Sequence, residues 1–203
     1  MTTEEKDIEE LIEKKAKELA SKVEEYKRVD KNTPHGIYVY DRERDVWRLL
    51  RRDGEPFNPG ELGDGAYVMY FDNTRCPACR KYDLHWYPFI ETTGKSLEGY
   101  HFVIVLCEWF ARNCKSPAAA ATFKKFNVHA SPTTILAYVK DGKKVYEEKY
   151  EGYLTLEELL KVVPGFAERG EKAARGEKVE PPIKRGGGED ELIKLLLKLL
   201  KGA

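Results

Sequence analysis

The stretch Arg75-Cys76-Pro77-Ala78-Cys79-Arg80 constrains this chain more than any other. It follows an apolar run, Ala66-Tyr67-Val68-Met69-Tyr70-Phe71, that reads as a buried strand, and it opens a segment that reads as a helix. Two cysteines three apart at a helix start can close a small disulfide ring. The partial positive charge of a helix N-terminus favours thiolate over thiol there. Pro77 suits the first helical position, because it has no N–H to leave unpaired and its φ is already helical. Cys76 is expected to point outward. Cys79, one turn in, shares an apolar face with Tyr82, Trp86 and Phe89 or Ile90, so it is expected to be the more buried sulfur. That asymmetry suits an attacking thiolate and a sheltered resolving thiol.

A structural disulfide, or half of a zinc site, is the alternative for this pair. A zinc site needs four ligands, and the other two cysteines are Cys107 and Cys114. Their spacing makes a poor zinc knuckle but a loop short enough for a structural disulfide to close. Two unpaired thiols, or a secondary redox pair taking electrons from Cys76 and Cys79, remain open. His85, His101 and His129 are weak signals, as are Trp47, Trp86 and Trp109, which suit the core or a rim.

Composition narrows the class. The 203 residues suffice for one ordinary domain with extensions, and 41% hydrophobic content supports a real core. Charged residues make up 34%, above the usual ~25%. Lys plus Arg and Asp plus Glu balance at 35 each, so neither a nucleic-acid partner nor an acidic membrane surface is implied. A balanced surface rich in Glu, Lys and Arg is typical of hyperthermophiles. The first thirty residues hold no apolar signal core, and no run approaches the ~20 apolar residues of a membrane span. A cytoplasmic address is the default. Four cysteines there point to catalysis or metal, the hyperthermophile cytosol being the exception in which structural disulfides occur.

In order, residues 1–33 read as an N-terminal amphipathic helix with its body from Thr3 to about Val29. Its apolar face, including Ile8, Leu11, Ile12 and Tyr26, is expected to pack on the domain or on a second copy. Residues 34–163 form the main domain. It starts with a hairpin, Ile37–Tyr40 and Val46–Leu50. The strand from Ala66 follows, then a helix to about Thr92 that Pro88 should kink or shorten. A buried strand spans Tyr100–Cys107, and a helix opens at Ser116-Pro117. Thr133–Val139 and Lys144–Tyr150 pair about the turn Asp141-Gly142, and Thr155 with Glu158 makes a capping box for a last helix. The central order is β-α-β-α-β-β-α. Residues 164–188 read as a polar linker, and 189–203 as a Leu-rich helix that docks on its own domain or on a second copy.

From Ala66 to Val163 the chain resembles the thioredoxin superfamily. The resemblance rests on Cys76-Pro77-Ala78-Cys79 after the first central strand and on Phe126-Asn127-Val128-His129-Ala130-Ser131-Pro132-Thr133, which is similar to the segment before that family's strand with the cis-proline. The turn Lys140-Asp141-Gly142-Lys143 and Glu151-Gly152-Tyr153 complete it. It implies an α/β thioredoxin-like fold, a central mixed sheet flanked by helices, here with an N-terminal helix and hairpin and a C-terminal helical tail. It also implies a cis Pro132 against Cys76, with the Ser131 backbone pairing to a bound peptide strand and Pro77 beside it. Three departures stand out. Tyr70 occupies the position of a buried acid common in the family, with Asp72 two residues on. Arg75 stands where an aromatic is common and, with Arg80 and Lys81, is expected to lower the Cys76 pKa. The dipeptide between the cysteines is Pro-Ala rather than Gly-Pro.

The expected function is thiol–disulfide exchange with protein substrates, Cys76 attacking and Cys79 resolving, tuned by Arg75 and Asp72. No dissociable cofactor and no metal is implied. The partners are protein disulfides and an electron donor or acceptor, with a homodimer through the terminal helices as a further expectation. A redox-sensing interaction module of the same fold, without turnover, is the alternative.

Overall fold

Two runs without polar alternation, 66–71 and 102–107, become the centre of the sheet, as strands buried on both faces must. In the computed structural model, which describes residues 3–20, 23–185 and 197–199, the described residues form a seven-stranded mixed sheet. Its strands are β1 (Glu25–Tyr26), β2 (Gly36–Asp41), β3 (Val46–Arg51), β4 (Gly65–Asn73), β5 (Tyr100–Cys107), β6 (Thr133–Lys140) and β7 (Lys143–Glu151). The helices are α1 (Thr3–Ala20), α2 (Pro77–Thr92), α3 (Pro117–Lys125), α4 (Leu156–Val162) and α5 (Phe166–Ala174). The strand order is β1-β3-β2-β5-β4-β6-β7. β4 and β5 run parallel, joined through α2, and the other described neighbours are antiparallel.

Period-two alternation divides the core. Val68 and Tyr70 of β4 and Ile104 of β5 face Trp86 of α2, Leu159 of α4 and Phe166 of α5. Met69, Phe71 and Val105 face the opposite way, under Ala119 and Phe123 of α3. β4 is buried at every position from Ala66 to Asn73. Each large apolar side chain buried there contributes roughly 1.5–3 kcal/mol, so the end of β4 is a rigid place to hang a site.

Local signals set the element ends. The Ser116 hydroxyl accepts the Ala119 N–H at 3.1 Å and starts α3. Thr155 and Glu158 cap each other's backbone at the head of α4. Asp141 and Gly142 hold φ of 52° and 71°, the left-handed pair whose twist matches a two-residue hairpin.

Four expectations are revised. The N-terminal helix ends at Ala20, and Glu25–Tyr26 instead pair with Arg48 and Trp47 as an edge strand. Tyr26 stacks edge-on against Tyr38 at 5.7 Å, and Val29 is fully buried. Apolar anchors three apart satisfy a helical pattern and an edge segment equally, and sheet pairing wins. Ile8, Leu11 and Ile12 are exposed, so these described apolar residues of α1 are not packed on the domain. α2 reaches Thr92, the expected end, so Pro88 lies inside the helix and does not shorten it. The polar linker contains α5. Its charges are partnered on the sheet: Arg169 pairs with the buried Glu148 at 2.6 Å, and Glu171 with Lys140 at 2.7 Å and the Tyr138 hydroxyl at 2.5 Å. Residues that read as solvated are the docking contacts, with Phe166 as the single large apolar anchor. The Leu-rich segment 189–203, and with it the expected contact through the terminal helices, lies outside the described residues apart from 197–199. No described helix is long and apolar enough to cross a membrane.

Gly170 tests the docking of α5. A Cβ there would fall 2.1 Å from Tyr138 Cγ. Gly170→Ala is expected to cost about 1–3 kcal/mol, an overpacking penalty, read as a lowered urea midpoint. An unchanged midpoint would mean that α5 does not rest on β6.

Candidate active site

Because β4 and β5 are parallel, their carboxyl ends reach the same edge of the sheet, and the loop leaving β4 is sewn to the end of β5. The Thr74 N–H donates to the Cys107 carbonyl at 2.9 Å. Cys76 then caps α2 with extended backbone, its Sγ accepting the Cys79 N–H at 3.1 Å, and Pro77 follows in the first turn. A sulfur thus takes the place that Ser or Asp usually fills at a helix start.

Both sulfurs are more enclosed than the helix position alone implies. Cys79 is fully buried and Cys76 is 5% exposed, so Cys76 does not point freely outward. The cover is the loop before β6. The Ser131–Pro132 peptide is cis. The Ser131 carbonyl lies 3.5 Å from Cys76 Sγ, and the Ser131 hydroxyl lies 3.0 Å from Cys79 Sγ. Asn73 holds this serine. Its side-chain amide donates to Ser131 Oγ at 2.8 Å, while its Oδ1 accepts the Phe110 N–H at 2.6 Å.

The two thiols are pushed in opposite directions. Cys76 is lowered to about 6, first by the hydrogen bond from Cys79, then by Ser131 and the Cys79 backbone, against a desolvation penalty. Cys79 is pushed far up, first by burial, then by its bond to Cys76 and the negative charge of Asp72. Arg75, expected to tune Cys76, turns away: its guanidinium pairs with Glu108 at 2.5 Å and is largely exposed. Arg80 is drawn inward to Asp72, at 2.5 Å. The lowered Cys76 pKa is therefore made by hydrogen bonds at a helix start and not by flanking cations.

Behind Cys79 lies a buried polar cluster. Asp72 is fully buried, its carboxyl raised by desolvation against the pull of Arg80, and its Oδ2 has no hydrogen-bond partner. The Tyr70 hydroxyl lies 3.2 Å from the Cys79 carbonyl and 3.1 Å from Asp83 Oδ1. Burial, then the charge of Asp72, raises Asp83 to about 7. Asn73 and Asp83 were not singled out from sequence. Asn73 carried only the signal of a polar residue closing an apolar strand, and Asp83 looked like one charge among many on a helix.

Cys107 and Cys114 are bonded to each other, with Cα atoms 4.8 Å apart, which leaves Cys76 and Cys79 as the free thiols. The four cysteines therefore do not come together as a thiolate set for zinc. The histidines stand elsewhere: His85 accepts the Leu156 N–H, His101 packs on Tyr67, and His129 pairs with Asn127 at 2.5 Å.

A parallel pair bridged by a crossover helix, a following antiparallel hairpin, and a dithiol at the crossover's first turn together decide the architecture. The fold is thioredoxin-like. The chain is similar to the crystal structure of thioredoxin from Aeropyrum pernix, with 18% identity, 71% of this chain and 97% of that one covered, and a TM-score of 0.39. Thioredoxin-2, described as a component of the malaria parasite's protein secretion machinery, is also 18% identical, with 56% and 94% covered and a TM-score of 0.35. For chloroplastic thioredoxin z the identity is 13%, the coverage 61% and 96%, and the TM-score 0.36. No family model and no curated protein matches the chain.

The thiol asymmetry sets a pH dependence. Cys76 reacts as a thiolate above about 6, and its alkylation rate should fall roughly tenfold per pH unit below that value. Ser131→Ala should move the midpoint up, and Arg75→Ala should leave it in place. Mass-resolved iodoacetamide kinetics check all three. A midpoint near the ordinary ~8.5 of cysteine would contradict the geometry.

Proposed function

We propose that the protein is a thiol–disulfide oxidoreductase acting on disulfides of polypeptide substrates. The observation that carries this reading is the pair of adjacent free sulfurs whose pKa values are driven apart, one to about 6 and the other upward. An attacking thiolate and a protonated partner held in reserve are what sequential exchange needs.

In the proposed cycle the Cys76 thiolate attacks a substrate sulfur. A Cys76–substrate bond forms, the substrate disulfide breaks, and its second sulfur leaves as a thiolate that takes a proton from solvent. Cys79 then gives up its proton and attacks Cys76 Sγ. The Cys76–Cys79 bond forms, and the remaining substrate sulfur leaves and is protonated. Two electrons have passed from the dithiol to the substrate, and an external thiol donor restores the dithiol. Run backwards, the same steps oxidise a substrate dithiol. Asp72 is the proton acceptor for Cys79, because it is the buried carboxyl whose charge acts on that thiol and one of its oxygens has no hydrogen-bond partner. Ser131 and the buried Pro132 form the platform for the substrate strand, with exposed Pro77 beside Cys76.

Exchange with a disulfide-bonded protein tests the scheme. Cys76→Ser should abolish it. Cys79→Ser should accumulate a mixed disulfide detectable by mass under non-reducing conditions. Asp72→Asn should slow release of that intermediate by tenfold or more, in keeping with loss of a general base. Retention of full exchange by Cys76→Ser would overturn the reading. A protein that changes binding partners on oxidation yet never turns over would instead support a redox-sensing module.

A further inference from the structure

The disulfide-closed loop after β5 takes no part in the proposed exchange, yet it builds the wall of a groove tied to the dithiol. Trp109 is 43% exposed, with the Phe110 ring edge-on to it at 5.1 Å. Phe110 itself adopts a φ of 51°, a left-handed conformation that bulky residues rarely take. Two constraints hold it there: the Cys107–Cys114 bond that closes the loop, and the 2.6 Å hydrogen bond from its N–H to Asn73 Oδ1. With Ala111, Phe123 and Val128, these rings line a cavity of about 430 Å³. That volume lies within the ~300–1,000 Å³ of sites that enclose an apolar ligand or side chain.

The rim of this groove carries charge of one sign. Arg112 and Lys124 line it and are exposed, and neither has an ion-pair partner among the described residues. Many charges elsewhere on this surface are paired, Arg75 with Glu108, Arg51 with Glu61 and Arg28 with Glu91 among them. The groove is also close to the sulfurs. One side chain, Asn73, joins the Phe110 backbone to Ser131 Oγ through hydrogen bonds of 2.6 and 2.8 Å, and Ser131 touches both cysteines. An extended peptide advances about 3.3 Å per residue, so two or three residues span from a cysteine on Cys76 to the groove.

We propose that this groove is a specificity subsite. It takes an aromatic or large aliphatic side chain of the substrate polypeptide, two or three residues from the reacting cysteine, with neighbouring carboxylates meeting Arg112 and Lys124. The subsite deepens the oxidoreductase reading and rests on it. Asn73 is a positioning residue that keeps subsite and dithiol in register.

The test uses the full chain and three disulfides: a peptide disulfide with Trp and two Glu within three residues of its cysteine, the same peptide with Ala and Lys at those positions, and hydroxyethyl disulfide. The ratio of kcat/KM for the Trp-Glu peptide to that for the Ala-Lys peptide should be about tenfold or more at low salt, as expected of a buried aromatic anchor. It should shrink at high salt, where exposed charges are screened. Trp109→Ala and the double reversal Arg112→Glu/Lys124→Glu should each bring the ratio towards one. All three positions are exposed, so the variants should fold, and far-UV circular dichroism checks that. A ratio near one for the unaltered protein, with hydroxyethyl disulfide still reduced, would overturn the subsite and leave the oxidoreductase reading standing. Absence of exchange with all three disulfides would overturn that reading and the subsite with it. Loss of the preference through self-association on dilution-dependent sedimentation would assign the groove to a second copy and overturn the proposal.

Discussion

The hydrogen bond from the Cys79 N–H to Cys76 Sγ is the contact on which the site depends. A helix start leaves backbone donors unpaired, and something must accept from them. A neutral thiol is a poor acceptor, whereas a thiolate is a good one. The head of α2 is therefore better capped when Cys76 is ionised, and this adds to the hydrogen bonds from the Cys79 thiol and from Ser131 that lower the cysteine's pKa. Pro77 fits the same logic, because it removes one donor that would otherwise compete for the sulfur. The Ser131 hydroxyl adds a donor to this corner, while its carbonyl can only accept from a thiol, so it is the side chain that favours the Cys76 thiolate.

The polar cluster under Cys79 runs against the usual rule that cores are apolar. Burying a carboxylate costs several kcal/mol even after relaxation, and Asp72 is fully buried. Arg80 offsets part of that cost by turning inward from α2, and Asp83 and Tyr70 complete the set. A Leu at position 72 would pack at lower cost. An acid there fits the proposed cycle, in which a proton has to leave a thiol that burial has made reluctant to give it up. Tyr70 and Asp72 lie on the same face of β4, since residues two apart in a strand point the same way, and Asp72 is the one nearer the end of the strand.

Legibility in the sequence followed periodicity and turn chemistry. β4 and β5 could be read as buried strands because their apolar runs are continuous, and α3 and α4 because Ser116-Pro117 and Thr155-x-x-Glu158 mark helix starts. The Cys-Pro-Ala-Cys turn was equally plain. What failed did so for identifiable reasons. β1 has only two residues, so its pairing with β3 leaves no period to detect. α5 buries one large side chain and otherwise docks through charges, which a sequence reading assigns to solvent. Arg75 and Arg80 looked alike, flanking the cysteines on either side, yet one meets Glu108 at the surface and the other Asp72 inside; partners 33 residues apart and eight residues apart across a strand–helix turn cannot be told from composition. Asn73 escaped notice because its role is a bridge between two loops, both distant in sequence.

The magnitude of the Cys76 shift also bears on which way electrons flow. At pH 7 a thiol whose pKa is about 6 is mostly ionised, and relative to an ordinary cysteine this stabilises the reduced form by about 1.4 kcal/mol. For a two-electron couple that amounts to about 30 mV towards a more oxidising potential. The span from reductants to strong oxidants of this chemistry is about 150 mV, so thiolate stabilisation supplies roughly a fifth of it. A disulfide between the pair would replace the contact of Cys79 Sγ with the Ser131 hydroxyl and take the charged acceptor from the Cys79 N–H, so the clamp made by Ser131 and Asn73 bears on the same balance.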